Sequence, residues 1–220
     1  MTVTLEDIKR HPYLQAYILQ ADSNLRAMGY TEHGHRHINL VSSIAHNILV
    51  RLGFPERKGE LAAIAGYLHD IGNCVGRIHH GASSALLIGP ILREMGMPAD
   101  ELGLVLSAVG NHEEEVGEPV NEVAAALILA DKSDVHRTRV RIQDKINFDI
   151  HDRVNYAVVK SFLDVNEVER AIVLRITIET EHTSIMEYFE IFLERMLMCR
   201  RAAAYLNCEF NLVINDVQLL

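Results

Sequence analysis

His69-Asp70 is the pair in this chain best suited to chemistry, because an adjacent imidazole and carboxylate can ligate two neighbouring metal ions, the carboxylate bridging between them. It ends the apolar helical run Leu61 to Leu68 and is followed by Ile71-Gly72. The dipeptide alone is a weak signal in a chain with 12 histidines, and its second copy, His151-Asp152, reads as coincidence. Company separates the two: His37 lies upstream of His69-Asp70, and His80, His112 and Asp131 lie downstream, each at the edge or on the inner face of an expected helix. A carboxylate that closes an apolar run, as Asp131 closes Ala124 to Ala130, is rarely buried without a partner.

Imidazoles and carboxylates without thiolates suit Fe or Mn, with Zn, Co or Ni also compatible. Six candidate ligands (His37, His69, Asp70, His80, His112 and Asp131) suffice for two divalent ions with open positions. Such a pair, about 3.5–4 Å apart, stabilises charge on both the attacking and leaving oxygens of a phosphoryl transfer. A single ion needs only His37, His69, Asp70 and Asp131, which would leave His80 and His112 to substrate. His35 and His33 compete with His37 for its place, and His79 competes with His80. The helical stripe favours His37, and the following Gly81 and Ser84 favour His80. His46 and His182 fall outside the constellation and read as ordinary hydrogen-bonded or surface residues.

Helical periodicity supplies the frame up to about Arg141. Pro12 opens a helix through Leu14, Ile18 and Leu25 that Gly29 stops; the next carries His37, Val41, Ile44, Ile48 and Leu52 on one face. Leu61, Ile64, Ala65 and Leu68 form a third stripe ending at His69. His80, Ser84, Leu87 and Ile91 form a fourth, with a kink expected at Pro90. Pro98 starts a fifth through Leu102, Val105, Val109 and His112, and Val123, Leu127, Ala130, Asp131 and Asp134 form a sixth. Beyond Arg141 the period changes to two. Ile172, Leu174, Ile176 and Ile178 alternate as a strand, with a hairpin partner expected over Val154, Tyr156 and Val158. Ser184 and Glu187 have capping-box spacing before a helix through Ile185, Phe189, Phe192, Met196 and Ala203, and Phe210, Leu212 and Ile214 close as a last strand. The expected architecture is mainly α: a helical bundle over 1–141 with a small C-terminal α+β appendage, strand-strand-helix-strand, over 142–220 that carries no chemical motif.

Bulk properties restrict the partners. Thirty acidic against 21 basic residues give a net charge of −9, which disfavours nucleic acid as a partner. No apolar run spans a membrane and the N-terminus lacks the pattern of a signal peptide, so a cytoplasmic location is expected, with no membrane partner. Cys74, Cys199 and Cys208 show no CxxC spacing and read as reduced thiols. The alternating strand Ala171 to Glu179 could pair across a homodimer.

Between about Arg36 and Arg141 the sequence resembles the HD superfamily of metal-dependent phosphohydrolases. The matching stretches are His37-Ile38-Asn39-Leu40-Val41, Tyr67-Leu68-His69-Asp70-Ile71-Gly72, His80-Gly81 with Ala85, Ala108-Val109-Gly110-Asn111-His112, and Leu129-Ala130-Asp131-Lys132 with Asp134 and Arg137. Their order is most similar to the dinuclear branch, which includes bacterial HD-type diadenosine tetraphosphate hydrolases. The resemblance implies an HD-domain helical bundle, metal ligation by His37, His69, Asp70, His80, His112 and Asp131 with Asp70 bridging, and Asp134 and Arg137 near the phosphates of a small phosphorylated substrate such as a nucleotide. It departs from the HD-GYP phosphodiesterases, which have Lys where Asn73 stands, and from the diadenosine tetraphosphate group in its acidic run Glu113-Glu114-Glu115 and its appendage. The mechanism expected is in-line attack of a metal-bound hydroxide on phosphorus. Asp70 would orient it, and Lys132, Arg137 or Arg139 would neutralise the nonbridging oxygens. Alternative readings are a di-iron oxygenase of the same fold and a non-catalytic metal- or nucleotide-binding regulatory module.

Overall fold

The computed structural model describes residues 2–114, 116–141 and 149–219. Its N-terminal part is a helical bundle. Helix α1 (Leu5–Arg10), which the apolar periodicity does not reveal, is opened by a Thr4–Asp7 capping box. Helix α2 (Pro12–Ala27) begins with proline in its first turn and ends before Gly29, whose φ of 82° a side chain would resist. Helices α3 (His35–Arg51) and α4 (Glu56–Leu68) cross backbone to backbone: a Cβ on Gly66 would stand 2.9 Å from Ser42 Cα. Ser42 Oγ donates to Ala63 O at 2.8 Å across that crossing. A 3₁₀ turn over Ile71–Cys74 follows, then α5 (His80–Glu94) and α6 (Ala99–Gly110). In α5 the buried positions after His80 and Ser84 are Ile88 and Leu92, one place beyond the expected Leu87 and Ile91. Helix α7 (Glu122–Ser133) is the axis of the bundle, because Val123 to Ala130 present apolar groups on every side and all of them are buried.

The C-terminal part departs from expectation at its start. Val154 and Tyr156 lie in helix α8 (Ile150–Ala157), not in a hairpin strand. Asp149 caps that helix by accepting from Asp152 N at 2.8 Å, and Ile150, Val154 and Ala157 keep helical spacing through what also reads as alternation. The strands are β1 (Val158–Asn166), β2 (Ala171–Ile178), β3 (Glu209–Ile214) and β4 (Val217–Gln218), in sheet order β1-β2-β3-β4. β1 and β2 are antiparallel, while β2 and β3 are parallel and joined through helix α9 (Ile185–Tyr205), which opens with the expected Ser184–Glu187 capping box. Because β2 is hydrogen-bonded on both edges within the chain, Ala171 to Glu179 has no free edge for a second copy. Helix α9 packs on α7, and buried residues of both parts form one core. The boundary expected at Arg141/Ile142 meets 142–148, outside the described residues. No helix among the described residues is long and apolar enough to cross a membrane.

Candidate metal centre

Four helix ends and α7 converge on one point beneath a cleft of about 620 Å³. His37 comes from the first turn of α3, His69 from the cap of α4 with Asp70 beside it, His80 from the start of α5, His112 from just beyond α6, and Asp131 from the last turn of α7. Two local features hold them there. A Cβ on Gly72 would lie 2.1 Å from His80 O, so only glycine lets the Asp70 turn sit against the start of α5. Ser84 Oγ donates to His69 O at 2.6 Å and accepts from Gly72 N at 2.7 Å, stapling α5 to the end of α4.

Each of the four imidazoles uses Nδ1 outward. His37 donates to Asp134 Oδ2 at 2.6 Å, His69 to Gly66 O at 2.8 Å, His80 to Arg77 O at 3.0 Å and His112 to Val109 O at 2.7 Å. These bonds leave the Nε2 lone pairs pointing inward. His37 Nε2 stands 3.2 Å from His69 Nε2, and His80 Nε2 3.1 Å from His112 Nε2. Facing lone pairs at such distances repel unless something positive lies between them. A proton on His69 would serve the first pair; the second would keep only an Arg77 guanidinium contact at 3.5 Å.

The carboxylates complete two overlapping groups. Asp70 Oδ2 is 3.2 Å from His69 Nε2 and 3.7 Å from His37 Nε2, and Asp131 Oδ1 is 3.6 and 3.3 Å from the same atoms. Asp70 Oδ1 faces the other way, 3.1 Å from His80 Nε2 and 3.9 Å from His112 Nε2. A transition ion with bonds of about 2.0–2.2 Å spaces tetrahedral ligands by about 3.3–3.6 Å, so both groups are within small adjustments of coordination. Asn73 Nδ2 donates to Asp70 Oδ1 at 3.0 Å and fixes the carboxylate, whereas Asp70 Oδ2 is buried without a donor. That oxygen and the inward imidazole nitrogens need a positive charge between them, which either a proton on His69 Nε2, 3.2 Å from Asp70 Oδ2, or a bound cation would supply.

Burial opposes charge throughout this cluster, yet the carboxylates remain ionised. Against burial, the His69 charge and the His112 and His80 rings beside it hold the Asp70 carboxyl well below the usual range, and Lys132, His37 and His69 do the same for Asp131. Asp70 and Asp131 in turn raise His69 to about 10 despite its burial, while burial together with the His69, His80 and Lys132 charges brings His112 down to about 4. The two carboxylates thus draw positive charge into the centre, supplied by the His69 proton and by Lys132, and a cation bound between the imidazoles would take the place of that proton.

The six residues expected as ligands lie together in one cluster that could hold metal. His37 is buried whereas His35 is exposed, and His80 is buried whereas His79 is exposed, so the competition within each pair is decided by which ring faces inward. His33 stands beside His37 with ring centres 5.3 Å apart, and its Nε2 lies 2.9 Å from an Arg139 guanidinium nitrogen. Lys132 is buried at the cleft, 2.6 Å from the outer oxygen of Asp131. Asp134 and Arg137 do not approach the substrate space as expected. Asp134 is buried behind His37, bonded to its Nδ1 and to Arg36 at 2.8 and 3.2 Å, and Arg137 pairs with Glu179 at 2.6 Å over the Tyr156 ring. Neither is among the described residues lining the cleft. The acidic run does face it, but not as free charge: Glu113 accepts from Gly81 N and Glu114 pairs with Arg195 at 2.7 Å. Glu115 lies outside the described residues.

Residues 34–136 match the HD domain family. That match and the cluster of His37, His69, Asp70, His80, His112 and Asp131 together support the HD superfamily, whose members are mostly metal-dependent hydrolases, for this segment. No curated protein matches the chain.

Outside the HD segment, the appendage contributes more than its sequence suggests. His151, Asp152 and Asn155 of α8 and Phe192 and Arg195 of α9 line the cleft, so the pair set aside as coincidence stands at its wall. Arg77, in the loop before His80, lines it too. The signal available for Asn73 and Arg77 was their position just after Asp70. Nothing in the local sequence of α8 or α9 marks those residues, because they reach the centre only through tertiary packing, α9 on α7 and α8 on α9 and the Arg137–Arg139 turn.

Proposed function

We propose that the protein is a metal-dependent phosphohydrolase that cleaves a phosphate ester or anhydride of a small molecule, in the nucleotide class by its resemblance to the dinuclear HD hydrolases. One observation carries the reading: Asp70 turns its two oxygens to two separate histidine pairs, and one of those oxygens is buried without a donor. His37, His69, Asp70 and Asp131 would hold one divalent ion and Asp70, His80 and His112 a second, with Fe or Mn favoured by the nitrogen and oxygen donor set. When bound, such ions supply Lewis acidity and a nucleophilic water at neutral pH.

The chain's own groups do the rest. Asp70, held by Asn73, fixes the spacing between the two halves. Lys132 retains ammonium donors beyond its bond to Asp131 and neutralises a nonbridging phosphoryl oxygen, with Arg77, which also lines the cleft, as a second cation. Asp134 orients His37 rather than meeting the substrate. Burial of the donor set keeps bulk water from screening these charges.

The test is elemental analysis of protein purified without chelator, followed by hydrolysis screens of phosphate esters, nucleotides and dinucleotides with Mn or Fe, under air and without oxygen. Near two equivalents of metal with oxygen-independent phosphate release supports the reading. Turnover that requires oxygen would replace it with the di-iron oxygenase, and specific ligand binding with no turnover would replace it with the regulatory module.

A further inference from the structure

We infer that helix α8 reads the end of the substrate remote from the phosphate, and that this end carries an amino group. The inference rests on the hydrolase reading above and names a substrate class for it.

Asp152 and Asn155 are three residues apart, hence on one face of α8, and both line the cleft while being only 6% and 5% exposed. Asn155 Nδ2 donates to His151 O at 2.8 Å, which commits the amide's donor side and leaves Oδ1 buried with no donor among the described residues. The Asp152 carboxylate likewise has no hydrogen bond or ion pair among the described residues, and burial together with Asp149 raises its pKa against the opposing pull of the neighbouring His151.

Three of the cationic side chains lining the cleft are engaged with partners away from α8. Arg195 is bound to Glu114, Lys132 to Asp131, and Arg139 to Asp134 O, Glu32 O and His33. Nor is the neighbouring Arg153 available, since it pairs with Glu187. One wall of the cleft therefore has two acceptors in want of donors, while its floor holds the cation centre.

A ligand that meets both needs has a phosphate at one end and donors at the other. A hydroxyl brings one donor. An ammonium brings three and a positive charge, enough for the Asp152 carboxylate and Asn155 Oδ1 together. The class indicated is a phosphate ester bearing an amino group.

The experiment uses the full-length, metal-loaded protein and calorimetric titration with two series of non-hydrolysable alkyl phosphonates of graded length, one capped by an amine and the other by a methyl group. At the length that spans floor to wall, the amine series should bind about tenfold or more tightly. That preference should collapse in Asp152→Asn and in Asn155→Leu, with unfolding monitored by circular dichroism to show that both variants remain folded. Equal affinity of the two series at every length, no binding of either, or a preference that survives both substitutions would overturn the inference. Hydrolysis of the matching phosphate esters separates the two claims. Amine preference without cleavage of any ester removes the hydrolase reading and leaves the amine site standing, whereas cleavage without amine preference does the reverse.

Discussion

The His37–His69 half of the centre and the His80–His112 half present similar atoms inward and differ in what stands behind them. The first has four donor atoms, two from carboxylates, and His37 is held by the Asp134 carboxylate, itself locked by Arg36. The second has three; His112 leans on the Val109 carbonyl, as His69 does on that of Gly66, and His80 on the Arg77 carbonyl with Glu113 Oε1 3.4 Å away, a looser carboxylate contact than the 2.6 Å bond from His37 to Asp134. His80 and His112 line the cleft, whereas His37 and His69 do not. If each half takes an ion, as proposed, the extra carboxylate oxygen and the closer carboxylate behind His37 would make the first the tighter site and leave the second open to substrate.

Removing what the halves share should have the largest effect. Asp70→Ala should cut phosphohydrolase activity by about 10³-fold or more, with metal content measured on the same sample falling in both halves. Full activity with unchanged metal would end the proposal. Next is His80→Ala, which should reduce activity by about 10²-fold yet leave one metal equivalent bound, whereas His37→Ala should lose the ion that wild-type protein holds longest against a chelator. If the two variants lose the same ion with equal ease, the asymmetry is wrong. Asp134→Asn probes the support alone, and a loss of about 10–100-fold in affinity at the first half, with the second unchanged, is expected in metal-binding titrations.

The smallest effect concerns acid. Despite burial, Arg139, His37 and Arg36 hold the Asp134 carboxyl well below its ordinary value. A depressed carboxyl adds stability that is present above the unfolded pKa of about 3.9 and lost as pH falls toward the folded one. Chelator-treated wild-type protein should therefore melt at progressively lower temperature below about pH 4, and more steeply than Asp134→Asn. Parallel curves would remove Asp134 from the account.

Most of the HD segment was legible because its signals are local. Pro12 and Gly29 bound a helix, Gly53 follows another, and the apolar run Val123 to Ala130 marks a helix buried on all sides. Val154 and Tyr156 misled because Ile150, Val154 and Ala157 fit helical spacing while Val154, Tyr156 and Val158 fit alternation, and an eight-residue segment cannot separate the two periods. Asp134 misled for another reason. Its place one turn beyond Asp131 is compatible with facing either the substrate or the back of His37, and the choice was made by Arg36 and Arg139 from elsewhere in the fold.

By itself the sequence determined the six candidate residues, their order along the chain and the helices that carry them, since residue type and period are properties of a few consecutive residues. The tertiary structure decided which oxygen of Asp70 meets which histidine pair, that His37 and His80 rather than their neighbours face inward, and that α8 and α9 close over the centre. Those are relations between segments far apart in the chain, fixed by close helix crossings at Gly66 and Gly72 and by the packing of α9 on α7, which no local pattern encodes.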